Sequence, residues 1–241
     1  MNFRAFRILI YLIYFLIATT PERSRLKELA KTDPEKASEI AHKQVKKAFH
    51  RVLSVAGVKI ETDGLENIPN EPVLFVGNHN SYFDILVTEE TVPSGTGFVS
   101  KDSLKKIPGL APWMELIHCL FLNRENVREG LKMIMTGADY LKSGFSMCIF
   151  PEGTRSKDGT LGEFKGGSLK MAQKANVPIV PVAITGTHAI FEGNEGLRIT
   201  PQTVHISFGT PFKISDLPKE KKKFAAEYTK AAIQEMLDNE K

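Results

Sequence analysis

The chain has 241 residues, 42% of them hydrophobic and 25% charged, which suits one large domain with a buried core and excludes a disordered chain. The formal charge of +4 is uneven: residues 1–51 carry eleven Lys and Arg against five Asp and Glu, so they hold +6 and the remainder −2. The two cysteines, Cys119 and Cys148, lie in apolar runs without metal-ligand or redox spacing, which argues for reduced core residues and a cytosolic-side location.

Residues 8–18 are uncharged and almost wholly apolar, preceded by Arg4 and Arg7 and followed by Pro21, Glu22 and Arg23. At 1.5 Å per residue, a helix over 3–20 falls short of, or barely reaches, a hydrocarbon core of roughly 30 Å. No small-x-small cleavage site follows, so the segment reads as an uncleaved anchor rather than a secretory signal. In residues 35–56, Ile40, Ala41, Val45, Ala48, Phe49, Val52, Leu53 and Ala56 recur at helical spacing, with Lys43, Lys46, Lys47 and Arg51 between them. Such a helix is either a basic amphipathic element for anionic lipid or a core helix with a solvated face. Beside the apolar segment it points to a two-helix membrane-docking unit over residues 1–56, and to an anionic membrane surface rather than nucleic acid.

Residues 57–241 alternate strands and helices. Residues 58–62 alternate like a strand, and Asp63-Gly64 turns. Val73-Leu74-Phe75-Val76 reads as a buried strand broken by Gly77 and Asn78, followed by a helix over 82–91. Further strands are expected at 97–100, 118–122, 145–150 and 203–208, helices at 127–141, 168–175 and 219–237, and a turn at 108–113. The apolar run 177–184 contains Pro178 and Pro181, which predicts an edge strand or a strand entry. The fold class is therefore α/β, with a mostly parallel central sheet flanked by helices.

The polar groups fall at the C-terminal ends of those strands, the edge where open α/β sheets bind ligands. His79 follows the strand at 73–76 and can accept a hydroxyl proton near neutral pH, with Asp84 holding its tautomer. Positions five apart diverge on a continuous helix, so the two meet only with His79 in the loop and Asp84 in the first helical turn. Ser81 suits the N-cap, and Ser81 with Asp84 also reads as a capping-box-like pair that needs no catalysis. Lys101, Arg124 and the run Pro151-Glu152-Gly153-Thr154-Arg155 share the same rim and suggest an anionic substrate such as a phosphate. His188 could also face the rim but reads as structural, while His42, His50 and His118 have no assigned role. No His, Asp or Glu cluster has metal-ligand spacing.

Four blocks carry a resemblance: His79-Asn-Ser-Tyr-Phe-Asp84, Phe121-Leu122-Asn123-Arg124, Phe150-Pro-Glu-Gly-Thr-Arg155 and Val177-Pro-Ile-Val-Pro181. In this order, across about residues 58–210, they resemble the glycerophospholipid acyltransferases, and most closely the bacterial 1-acyl-glycerol-3-phosphate acyltransferases. The resemblance implies acyl transfer from a thioester of acyl carrier protein or coenzyme A to the sn-2 hydroxyl of lysophosphatidic acid, giving phosphatidic acid. It implies His79 as general base and Asp84 as its orienting partner, with Lys101, Arg124, Glu152, Gly153, Thr154 and Arg155 binding the substrate. No metal or other cofactor is implied. The location implied is the cytoplasmic face of the cell membrane, peripheral or monotopic. Asn123 departs from the charged residue often found before the family's Arg. The alternatives are transfer to another lysophospholipid or to glycerol-3-phosphate, a non-catalytic lipid-binding homologue, and a hydrolase. Backbone amides near Ser81 or Gly153 are the candidate oxyanion donors.

Overall fold

The computed structural model describes residues 1–123, 126–156 and 158–240. Three helices come first, α1 (Phe3–Ala18), α2 (Thr20–Leu29) and α3 (Pro34–Ala56). They are followed by β1 (Lys59–Asp63), β2 (Leu74–Gly77), α4 (Phe83–Thr91), β3 (Thr96–Lys101), α5 (Leu110–Leu116), β4 (Leu120–Leu122), α6 (Val127–Lys142) and β5 (Ser146–Ile149). The chain closes with α7 (Lys170–Ala175), β6 (Ile179–Thr185), β7 (Thr203–Phe208), α8 (Lys219–Lys222) and α9 (Ala225–Asn239).

The seven strands form one sheet in the order β1-β7-β6-β2-β5-β3-β4, parallel throughout except for the antiparallel pair β6 and β7. β2 lies between β5 and β6, and its side chains alternate between two cores. Phe75 joins the layer formed with α3, α4 and α5, while Leu74 and Val76 face Met147, Ile179 and the α6, α7 and α9 layer. Both faces are covered, which is why β2 reads as a continuous apolar run rather than an alternating one. Burial of each such side chain stabilises by roughly 1.5–3 kcal/mol.

Two expectations are corrected. Residues 108–113 are not simply a turn, because α5 begins within them. Pro112 is the third residue of that helix, in the first turn, where an amide has no intrahelical partner to lose. Nor is β6 an edge strand, since β2 and β7 flank it. Pro181 turns its carbonyl to the amide of Gly209 on the β7 side, where the paired ladder starts only at Val182. Pro178 precedes the strand and donates nothing to it.

The N-terminal unit has three helices rather than two, and α3 turns its apolar stripe inward. Ala41, Val45, Val52 and Ala56 are buried in the core shared with Phe75, and the outward positions include Lys43, Lys47 and Arg51. His42 meets Glu89 of α4 at 3.3 Å and His50 meets Glu90 at 3.0 Å, so α3 braces the helix that begins beside Asp84. α1 behaves differently. Phe3, Phe6, Ile10, Ile13, Tyr14 and Ile17 are exposed along it, while Phe15 stacks on Trp113 of α5 with ring centroids 5.6 Å apart. Among the described residues no single helix is long and apolar enough to cross a membrane; α1 and α2 together pass that test but are bent by 50°.

Candidate active site

The parallel strands deliver their C-terminal ends to one edge. There His79 leaves β2 in a loop and Asp84 enters the first turn of α4, as their spacing requires. His79 Nδ1 lies 2.8 Å from Asp84 Oδ2. That oxygen also accepts from the amides of Asn80 (2.6 Å) and Ser81 (2.7 Å), and Oδ1 accepts from the Thr187 hydroxyl at 2.5 Å. Asp84 and Thr187 are fully buried. A buried carboxylate is tolerated only when its lone pairs are filled, and here four donors fill them. The arrangement makes Nδ1 the protonated ring nitrogen and leaves Nε2 as the proton acceptor.

The imidazole is held from below as well. Its ring stacks on Phe150 with centroids 4.4 Å apart and planes 16° from parallel. Phe150 reaches that place because β2 ends in glycine: a Cβ on Gly77 would stand 3.1 Å from its ring. The main chain of His79 is pinned at both ends, its amide donating to Glu152 Oε1 at 2.8 Å and its carbonyl accepting from the Ser156 amide at 2.7 Å.

The residues expected to bind substrate fall into distinct positions. Glu152 is buried, and its second oxygen accepts from the Gly162 amide at 2.8 Å, so the carboxylate ties two loops together. Burial pushes its carboxyl above the usual range, opposed by the amides of Gly162 and His79. Gly153 has φ +73°, a conformation favouring glycine, and the Lys165 side chain crosses it; a Cβ there would stand 3.0 Å from Nζ. Thr154 is exposed and lines an open cleft of about 370 Å³ with Thr160 and Lys165. Arg155 turns the other way, its Nη1 donating to Glu192 at 2.6 Å and its guanidinium carbon 3.8 Å above the Tyr82 ring. Lys101 is exposed at the end of β3 on the same sheet edge. Arg124 lies outside the described residues.

The amides proposed as oxyanion donors near Ser81 are already engaged. Asn80 and Ser81 donate to Asp84, Tyr82 to Glu192 (2.9 Å), and Phe83 to the Ser81 hydroxyl (3.0 Å), while the Gly153 amide donates to Phe150. Ser81 itself donates to Glu192 at 2.5 Å, away from the histidine. Sequence reasoning missed Phe150 as a stacking partner, and Thr187 and Glu192 as anchors. Thr187 stands in a Gly-Thr-His run that drew notice only for His188, whose ring packs against Gly193. For Glu192 no local signal exists, since Ser81 is 111 residues away.

A histidine held through Nδ1 by a buried aspartate, at the C-terminal edge of a parallel sheet, is an arrangement able to take a proton from a hydroxyl. The family model described as Acyltransferase matches residues 59–185, more than half of the chain, and the protein belongs to that family of enzymes. Among its relatives is a probable 1-acyl-sn-glycerol-3-phosphate acyltransferase of Mycoplasma pneumoniae, 33% identical over 183 residues, covering 72% of this chain and 69% of the relative. A chloroplastic 1-acyl-sn-glycerol-3-phosphate acyltransferase of Arabidopsis thaliana is 38% identical over 142 residues, covering 58% of this chain and 40% of the relative. The crystal structure of the 1-acyl-sn-glycerophosphate (LPA) acyltransferase PlsC from Thermotoga maritima matches with a TM-score of 0.72 at 29% identity, covering 97% of both chains.

Proposed function

We propose that the protein transfers a fatty acyl group from an acyl thioester to the sn-2 hydroxyl of lysophosphatidic acid at a membrane surface, forming phosphatidic acid. The observation that carries this reading is the contact between His79 Nδ1 and buried Asp84, which leaves Nε2 as the base. Nε2 takes the proton as the hydroxyl oxygen attacks the acyl carbonyl. The tetrahedral oxyanion then collapses with cleavage of the C–S bond, and the leaving thiolate recovers the proton from the imidazolium. The names of the relatives support the acceptor. The donor is a thioester of acyl carrier protein or coenzyme A. The apolar face of α1, with Arg4 and Arg7 at its start, supports attachment to an anionic bilayer on the cytoplasmic side.

The test is acyl transfer by purified protein in anionic vesicles, with both thioester donors supplied separately and His79→Ala in parallel. Phosphatidic acid formed by the unaltered protein and lost in the variant establishes the reaction and its base. Product with glycerol-3-phosphate or another lysophospholipid, but none with lysophosphatidic acid, overturns the acceptor. Release of free fatty acid without an acceptor overturns transfer in favour of hydrolysis.

A further inference from the structure

The segment after β6 sends two side chains to the start of α4. Thr187 ends on Asp84, and Glu192 gathers three donors from two different segments. Glu192 Oε1 accepts from the Tyr82 amide at 2.9 Å and from Arg155 Nη1 at 2.6 Å, and Oε2 accepts from the Ser81 hydroxyl at 2.5 Å. Its side chain is only 15% exposed and that of Arg155 33%, so this ion pair is far less solvent-screened than a surface pair. The guanidinium is then fixed on one edge by a carboxylate and on one face by the Tyr82 ring, which leaves other N–H groups of its five to meet a ligand. The carrier loop is rigidly tied. Asn194 Nδ2 donates to the carbonyls of Ala189, Ile190 and Arg198, and the Gly193 amide donates to His188.

Glu152 and Glu192 thus grip the two ends of one short loop. The first holds the amide of His79 and the second the amide of Tyr82, and both carboxylates stand outside the His79–Asp84 contact itself. Among the described residues, Glu192 also holds a cation, the Arg155 guanidinium. We infer that Glu192 is a positioning residue: it aims Arg155 at the phosphate of the acceptor and ties that guanidinium to the first turn of α4, where Asp84 orients the base. This rests on the reading of Arg155 as a phosphate-binding residue. The consequence is geometric coupling: an acceptor whose phosphate meets Arg155 is registered against His79 through one carboxylate.

The experiment measures initial rates with lysophosphatidic acid in nonionic detergent micelles for the unaltered protein, Glu192→Gln, Glu192→Asp, Arg155→Ala and the Glu192→Gln/Arg155→Ala double variant. Loss of one charge-assisted contact predicts that Glu192→Gln raises KM for lysophosphatidic acid by roughly tenfold, with kcat changed less than about threefold and KM for the thioester unmoved. Glu192→Asp, which retains the charge, recovers part of that loss. In the Arg155→Ala background Glu192→Gln adds less than about twofold, as coupled residues require. Thermal unfolding of each variant separates misfolding from these effects, and if Glu192→Gln unfolds, the Glu192→Asp and Arg155→Ala pair carries the test. An unchanged or lowered KM in Glu192→Gln, a loss confined to kcat, or full additivity with Arg155→Ala overturns the inference. If Arg155→Ala itself leaves KM unmoved, the phosphate reading of Arg155 fails first. If Arg155→Ala raises KM and neither Glu192 variant does, the inference alone fails.

Discussion

Glu152 accepts the main-chain amide of His79 at 2.8 Å, and with its other oxygen the amide of Gly162 at the same distance. A glutamate in the third family block therefore acts on the loop that presents His79, with one main-chain amide on each carboxylate oxygen. Glu152→Ala leaves two amides unpaired and should cost about 1–3 kcal/mol of stability. Steady-state kinetics should show kcat falling while KM for lysophosphatidic acid moves little; a rise in KM alone would restore Glu152 as a direct substrate ligand.

The same residue predicts a pH effect. Burial raises its pKa in the folded chain, so its stabilising contribution is fully present below the ordinary glutamate value near 4.3 and is lost as pH rises through the raised folded value. Denaturant unfolding at stepped weakly acidic pH should show the protein losing stability relative to Glu152→Gln as pH increases through that window.

His79→Ala should lower kcat by roughly 10²–10⁴-fold, the usual contribution of a positioned general base. Asp84→Asn should reduce kcat too and, unlike His79→Ala, should also lower the unfolding temperature. Asparagine replaces one acceptor oxygen by an NH₂ group among the donors of Asn80, Ser81, Thr187 and the ring. Equal stability of both variants would count against Asp84 as the centre of the local hydrogen bonding.

His118 sets the acid limit of a different region. It stacks on Phe145 with centroids 3.8 Å apart, meets Ser38 Oγ at 3.1 Å, and burial pushes its pKa down to about 4 from 6.5. A depressed histidine contributes stability above its unfolded value that is lost as pH falls from about 6.5 towards 4, on the order of 2 kcal/mol after allowing for its partial exposure. His118→Asn suits the site's φ of 58° and should flatten the stability profile across that interval, measured by chemical denaturation.

The exposed face of α1 makes the membrane proposal testable without touching the site. Ile13 and Ile17 are 47% and 69% exposed. Ile13→Glu with Ile17→Glu should weaken sedimentation with anionic vesicles by at least about tenfold, since each inserted apolar side chain contributes on the order of 1–2 kcal/mol. Melting temperature and activity in micelles should hold. Undiminished vesicle binding would remove α1 as the docking surface.

Much of this protein was legible in its local sequence. The buried run of β2, the alternation of strands and helices, and the five-residue spacing from His79 to Asp84 each follow from short-range pattern, because side-chain period and helix geometry act over a few residues. Pro181 misled because a proline's cost depends on whether its missing amide had a partner, which is decided by the neighbouring strand. The inward turn of α3 was one of two readings, and packing against α4 through His42 and Glu89 chose between them. Glu192 and Thr187 could not be read at all. Their partners on α4 and the loop before it lie more than a hundred residues away and Arg155 lies 37 away, and no periodicity links a loop after β6 to a helix start after β2 until the sheet sets those strands side by side. The sequence by itself determined the chemical groups and their local geometry. Only the tertiary structure decided which carboxylate holds which cation, because that choice is made by long-range packing of strand ends on one edge.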